Sequence, residues 1–133
     1  MLTAGLVALA IHLQNRERRE SVELAERQAM TDRLTELDNL RALRAHTDAA
    51  LSSAREHGRL TGLLLIDVDE LKEINAAHGH TAGDEVLIAV ADALVAAASG
   101  NHHIARISGD VFAVLVDNAM AADMEPLAAR FRA

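Results

Sequence analysis

Leu63-Leu64-Leu65-Ile66-Asp67-Val68-Asp69-Glu70-Leu71-Lys72-Glu73-Ile74-Asn75 has the pattern of a buried strand running into a helix. Its first four residues are a continuous apolar run bounded by Gly62 and by acids, which predicts a short strand buried on both faces. In extended backbone Asp67 and Asp69 point to the same side. Two carboxylates at the C-terminal end of a central strand suit a hard divalent cation, although such a pair commonly does no more than end the strand and start the next helix. Lys72 lies one helical turn beyond Asp69 and Asn75 a further turn on, so both can project toward one ligand. An ammonium group suits a phosphate, and an amide can both donate to and accept from a base edge.

Downstream, Gly79 and Gly83 allow a sharply turning loop, and Asp84 stands where the N-cap of a following helix is expected. A carboxylate there has a second use, since it can accept the two parallel donors of a guanine edge. His78 and His80 lack further ligands at metal-binding spacing and read as loop residues. Asp84 to Ala98 predicts a helix with Leu87, Ala91, Leu94 and Ala98 on one face and Gly100 beyond its end. Two β-rich runs follow, Ile104 to Ile107 and Val111 to Val116, joined by Ser108-Gly109-Asp110 as a tight hairpin. Ala119 to Arg132 is helix-like, with Pro126 expected near a first turn.

Upstream, Asp38 to His57 places Leu40, Leu43, Ala50, Leu51 and Ala54 on one helical face, and Gly58 is a natural C-terminal stop. Gln14 to Thr31 is charge-dense, with Val22, Ala25 and Ala29 at helical spacing. It reads as an exposed helix, either solvated alone or in a short two-stranded coiled coil. Leu2 to Leu13 is almost wholly apolar and is followed by Arg16, Arg18 and Arg19, as where a membrane segment meets the cytoplasm. That run is shorter than the ~20 residues needed to span a bilayer, and no cleavage signal follows it. Membrane association through residues 1–13 and a plain helix end are thus both open. The expected organisation is an N-terminal helix over residues 1–30 and one domain over 31–133, an α/β (α+β) sandwich whose mixed sheet contains a hairpin and is flanked by helices.

Half of the 133 residues are hydrophobic, but only Phe112 and Phe131 are aromatic, so the core must be aliphatic. A net charge of -7 argues against broad nucleic-acid binding, which needs clustered Lys and Arg. Lys72 is the only lysine. The absence of cysteine excludes disulfides, zinc thiolates and thiol nucleophiles, and fits a cytoplasmic location.

Taken together, these segments resemble the GGDEF family. Asp67 to Asn75 with Gly79-His80 and Gly83 to Leu87 is similar to D-x-D-x-F-K-x-x-N-D-x-x-G-H-x-x-G-D-x-x-L; Leu34-Thr35-Glu36-Leu37-Asp38-Asn39 is similar to L-T-G-L-x-N; and Arg106 to Phe112 takes the place of R-x-G-G-D-E-F. The resemblance implies a homodimer that joins two GTP molecules into cyclic di-GMP. Asp67, Asp110 and the Val68 carbonyl would ligate Mg²⁺ (or Mn²⁺), with Asp67 and Asp110 catalytic. Lys72 would meet phosphate, Asn75 and Asp84 would read guanine, and Gly109 would lie beside the substrate. Several positions depart from the pattern: Glu36 for Gly, Leu40 for Arg, Leu71 for Phe, Ala76 for Asp, Ser108 for the first Gly of the signature and Val111 for its Glu. Ser99 and His102 fall at the charged positions of the inhibitory R-x-x-D motif, so feedback through that site is not expected. The family domain continues past the last helix into a further strand and helix. Its shortening here implies an exposed sheet edge or helix face unless a partner covers it. These departures imply a weak or inactive cyclase that keeps its GTP and Mg²⁺ site. A non-catalytic dimerising or nucleotide-sensing module, or a truncated product without activity, is the alternative.

Overall fold

Phe112, Ala113, Val114 and Leu115 have no solvent-exposed surface, and the protein is assembled around the strand that contains them. The computed structural model describes residues 3–132, the side chain of Gln28 excepted. Its elements are α1 (Thr3–Ala29), α2 (Leu40–His57), β1 (Leu60–Asp67), α3 (Leu71–His78), α4 (His80–Ala97), β2 (His102–Ser108), β3 (Val111–Ala119) and α5 (Ala121–Phe131). The sheet order is β1-β3-β2, with β3 antiparallel to both neighbours. β1 and β2 therefore run in the same direction, linked by α3 and α4, with β3 inserted between them. The one parallel pairing among the described residues is a bridge from Asp38 to Ala105.

Alternation along β3 feeds two separate cores. Phe112, Val114 and Val116 join Leu87, Ala91 and Leu94 of α4 and Leu127 of α5 on one face. On the other, Ala113 and Leu115 join Ala105 of β2 with Leu43 and Ala50 of α2. Burying each of the larger side chains contributes about 1.5–3 kcal/mol. The small residues Ala50, Ala105 and Ala113 let α2 lie close to the sheet. The expected α+β sandwich, with its hairpin, flanking helices and preceding helix, is the architecture observed, but the three-stranded sheet is antiparallel and not mixed, because β3 lies between β1 and β2.

Several local expectations are corrected. The strand buried on both faces is β3. β1 is an edge strand, with Leu63 51 % and Leu65 65 % exposed, because it pairs only with β3. On α2, Leu43 and Ala50 are buried, but Leu40 and Leu51 point to solvent. The hairpin loop is Gly109-Asp110 alone, since Ser108 pairs with Val111, and a bulge between Arg106 and Ser108 absorbs the extra residue. α4 starts at His80, where Gly79 at φ 89° separates it from α3, so Asp84 is inside the helix and caps nothing. Pro126 stands in the second turn of α5, not the first. The apolar and the charged N-terminal segments form a single exposed helix, α1. Met1 and Leu2 lie outside the described residues, and no helix among those described is long and apolar enough to cross a membrane.

The junction between α1 and the domain depends on Asn39. Its Oδ1 accepts from the Ala42 N–H and caps α2, while its Nδ2 donates to the Ala29 carbonyl at the end of α1. The amide supplies the donor and the acceptor on two separate atoms. Just before it, Asp32 accepts from the Thr35 N–H and hydroxyl, closing a turn that puts Glu36 at φ 61°. The family glycine at this position is thus explained by backbone conformation. A left-handed side-chain-bearing residue costs about 1–2 kcal/mol, of which glycine's extra unfolded-state entropy offsets roughly 0.5–1. Glu36→Gly is therefore expected to stabilise the protein by about 0.5–1 kcal/mol in urea unfolding; a loss of stability would show that the turn is unstrained.

Candidate functional site

The site follows from the β1·β3 register. Asp67, the last residue of β1, is paired with Val111, the first of β3, and the Val68 N–H donates to the Asp110 carbonyl at 2.8 Å. This register brings the Asp67 and Asp110 carboxylates together at one end of the sheet. Their repulsion, with a smaller contribution from Asp69, raises the Asp67 pKa above the usual carboxylate value. Two acids held close, neither with an ion pair among the described residues, form a donor set that favours a hard divalent cation. Val68 follows Asp67 and is joined to Asp110 by that backbone hydrogen bond, so Asp67, Val68 and Asp110 are neighbours at this end of the sheet.

The turn that presents Asp110 is fixed by Arg106. Its Nε and Nη2 both donate to the Gly109 carbonyl, at 3.1 and 2.9 Å, and its Nη1 reaches Asp32 at 3.2 Å. Burial works against ionisation of Asp32, but hydrogen bonds from Thr35 and Arg106 outweigh it and hold the carboxyl below its ordinary pKa. Sequence reading assigned no role to Arg106 or Asp32. The available signals were the Arg of the signature and the Asp-x-x-Thr spacing ahead of the opening motif.

The second part of the site lies across α3 and α4. Asn75 packs on Gly83, whose missing Cβ leaves room for it; a Cβ there would overlap Asn75 Oδ1. That oxygen is buried without a hydrogen-bond partner, the condition of a polar group that an incoming donor would satisfy. Asp84, next to Gly83, is exposed and has no capping duty. Lys72 is exposed on α3, one turn before Asn75, and has no ion pair among the described residues. No hydrogen bond joins it to the acid cluster or to Asp84. The acidic end of β1 opens on a groove of about 510 Å³ that Leu65, Val68, Phe131 and Arg132 help to line. Ser99 and His102, at the two positions of the inhibitory motif, are bonded to each other through the Ser99 N–H and His102 Nδ1 at 3.0 Å.

A sheet ending in paired acids, a hairpin bearing one of them and an amide packed against a glycine define a nucleotide-cyclase-like α+β domain. The family model for the diguanylate cyclase GGDEF domain matches residues 29–133, and the chain belongs to the GGDEF family. It is 40 % identical over 103 residues to the diguanylate cyclase TpbB of Pseudomonas aeruginosa and 37 % identical over 113 residues to a signalling protein of Caulobacter vibrioides; these matches cover 77 % and 85 % of the chain. It spans only 23 % and 14 % of those relatives' lengths. Among solved structures, the coiled coil and GGDEF domain of DgcB from Caulobacter crescentus, in complex with c-di-GMP, superposes with a TM-score of 0.85 at 32 % identity, covering 95 % of this chain and 66 % of that one. The GGDEF domain of TpbB (YfiN) gives a TM-score of 0.73 at 37 % identity, covering 76 % of this chain and 59 % of that one.

The Asp67–Asp110 repulsion has a testable consequence. An acid whose folded pKa is raised loses stability as pH rises from its unfolded value, near 3.8, through the folded one. Asp110→Asn should remove that decline and raise the metal-free melting temperature at neutral pH, while abolishing any Mg²⁺-induced shift. The measurement is melting temperature against pH with and without Mg²⁺. An unchanged Mg²⁺ response in the variant would remove Asp110 from the site.

Proposed function

We propose that residues 31–133 bind GTP with Mg²⁺ (or Mn²⁺) at the acidic end of β1 and β3, that residues 1–30 pair two copies of the chain, and that turnover to cyclic di-GMP is weak or absent. The observation that carries this reading is the meeting of the Asp67 and Asp110 carboxylates beside Val68, which leaves local negative charge for a cation to offset. Bound Mg²⁺ supplies neutralisation of triphosphate charge and activation of a 3′-hydroxyl. The chain's own residues position the nucleotide: Lys72 faces phosphate, Asn75 and Asp84 take the guanine edge, and Gly109 lets the turn approach the substrate closely. Such a site works on the cytoplasmic GTP pool.

Pairing through α1 is supported by Val22, Ala25 and Ala29 at heptad spacing on an exposed helix and by the coiled coil of the DgcB structure. It would bring two bound GTP molecules face to face, as joining them requires. The weakness of turnover rests on Val111. It stands in register with Asp67, where the signature has a carboxylate, and supplies only an apolar side chain.

Purified protein is expected to show a thermal shift with GTP and Mg²⁺ together and at most trace cyclic di-GMP by chromatography, and Val111→Glu is expected to increase the product. No shift with GTP and Mg²⁺ would sink the binding site; abundant product from the unaltered chain would sink the claim of weak turnover. Gly83→Ala, by displacing Asn75, should reduce the preference for GTP over ATP by about tenfold, the value of one lost hydrogen bond of roughly 1.4 kcal/mol. Equal weakening for both nucleotides would mean that Asn75 does not read the base.

A further inference from the structure

A second cluster of metal-binding side chains lies on the opposite side of the sheet from α4. Asp38 in the loop before α2, His46 on α2 and His103 on β2 each present a ligand atom within 4.8 Å of the others. His46 Nε2 is 3.2 Å from Asp38 Oδ2, and the His46 and His103 rings stack with centroids 4.3 Å apart. Behind them, His103 Nε2 is 3.1 Å from Asp117 Oδ2 on β3. His46 and His103 lie outside every family motif in the sequence, and Asp38 occupies a variable position of one, so nucleotide binding does not account for the cluster.

We propose that Asp38, His46 and His103 form a site for a divalent transition cation of the Zn²⁺ and Co²⁺ class, with Asp117 as the outer partner of His103. Two imidazoles and one carboxylate are the donor set of these ions, whereas Mg²⁺ takes oxygen ligands. Bond lengths of about 2.0–2.1 Å put tetrahedral donors roughly 3.3 Å apart, and His46 Nε2 and Asp38 Oδ2 already stand at that spacing. When the His103 Nε2–H donates to Asp117, Nδ1 keeps its lone pair for the ion. This is the carboxylate–histidine–metal arrangement that fixes the tautomer and orients the ring. All three side chains are part-exposed, which leaves a fourth position for water.

Such an ion would tie together three elements that otherwise meet through the His46–Asp38 contact, packing and the Asp38 backbone. The Asp38 carbonyl accepts from the Arg106 N–H at 2.9 Å, and Arg106 holds the turn that carries Asp110. The site therefore lies one backbone hydrogen bond from the residue that fixes the signature hairpin.

The test is titration of the full chain with Co²⁺ under a large excess of Mg²⁺, which saturates the acid pair. A visible ligand-field absorption, displaced by Zn²⁺, is expected. His46→Ala and His103→Ala should each weaken Co²⁺ binding by more than about 100-fold, and Asp117→Asn by roughly 10-fold, as for an outer partner. Asp110→Asn should leave the absorption intact. A readout needing no variant is the mapping of histidines modified by diethyl pyrocarbonate: Zn²⁺ should shield His46 and His103 while His12, His57, His78 and His80 react. No absorption, retention of the absorption in His46→Ala, or shielding confined to His78 and His80 would mean an adventitious ion only and overturn the proposal.

Discussion

The antiparallel register of β1 against β3 is the constraint on which the structure depends. Setting Asp67 opposite Val111 puts two acids at one end of the sheet, and their mutual repulsion raises the Asp67 pKa. The register is held by the opposite end of the same physics. Phe112 to Leu115 are excluded from solvent on both faces, and a slip of one residue would exchange the two cores, forcing Phe112 and Val114 into the space shaped for Ala113 and Leu115. The hydrophobic effect thus fixes an arrangement that electrostatics opposes.

Arg106 and Asn39 extend this order outward. Each is a small hydrogen-bonding hub: Arg106 spans the Gly109 carbonyl and Asp32, and Asn39 spans the caps of α1 and α2. Both belong to the stretch in which the opening motif meets the signature strand through the Asp38–Ala105 bridge. A displacement of α1 has a direct physical connection through Asn39 and Asp38 to Arg106 and the hairpin. The Asp38–His46–His103 cluster adjoins that connection, and charge placed there would bear on the same elements.

Departures from the family pattern divide by physical type. Glu36 leaves the backbone geometry in place and costs strain, as its left-handed conformation shows. Ser108 is accommodated as a paired residue of β2 after a bulge. Ser99 and His102 bond to each other where the inhibitory motif has its charges. Val111 differs from these, because it keeps the strand and removes a charge, so fold and chemistry separate at that position.

The sequence by itself determined the architecture, because strand and helix periodicities are local and motif order follows the chain. Leu63 to Asn75 announced a strand, an acidic end and a helix, and Gly58 marked the end of α2. What only the tertiary structure decided was which strand is central, where α4 begins, and which distant residues meet. Periodicity cannot tell an edge strand from a buried one, so Leu63 and Leu65 looked like core while β3 carried it. Asp84 looked like a cap because the freedom of Gly79 to turn at φ 89° is not visible until the backbone is traced. The stacking of His46 on His103 and the reach of Arg106 to Asp32 span 57 and 74 residues, and contacts of that range exist only once the two cores have closed on β3.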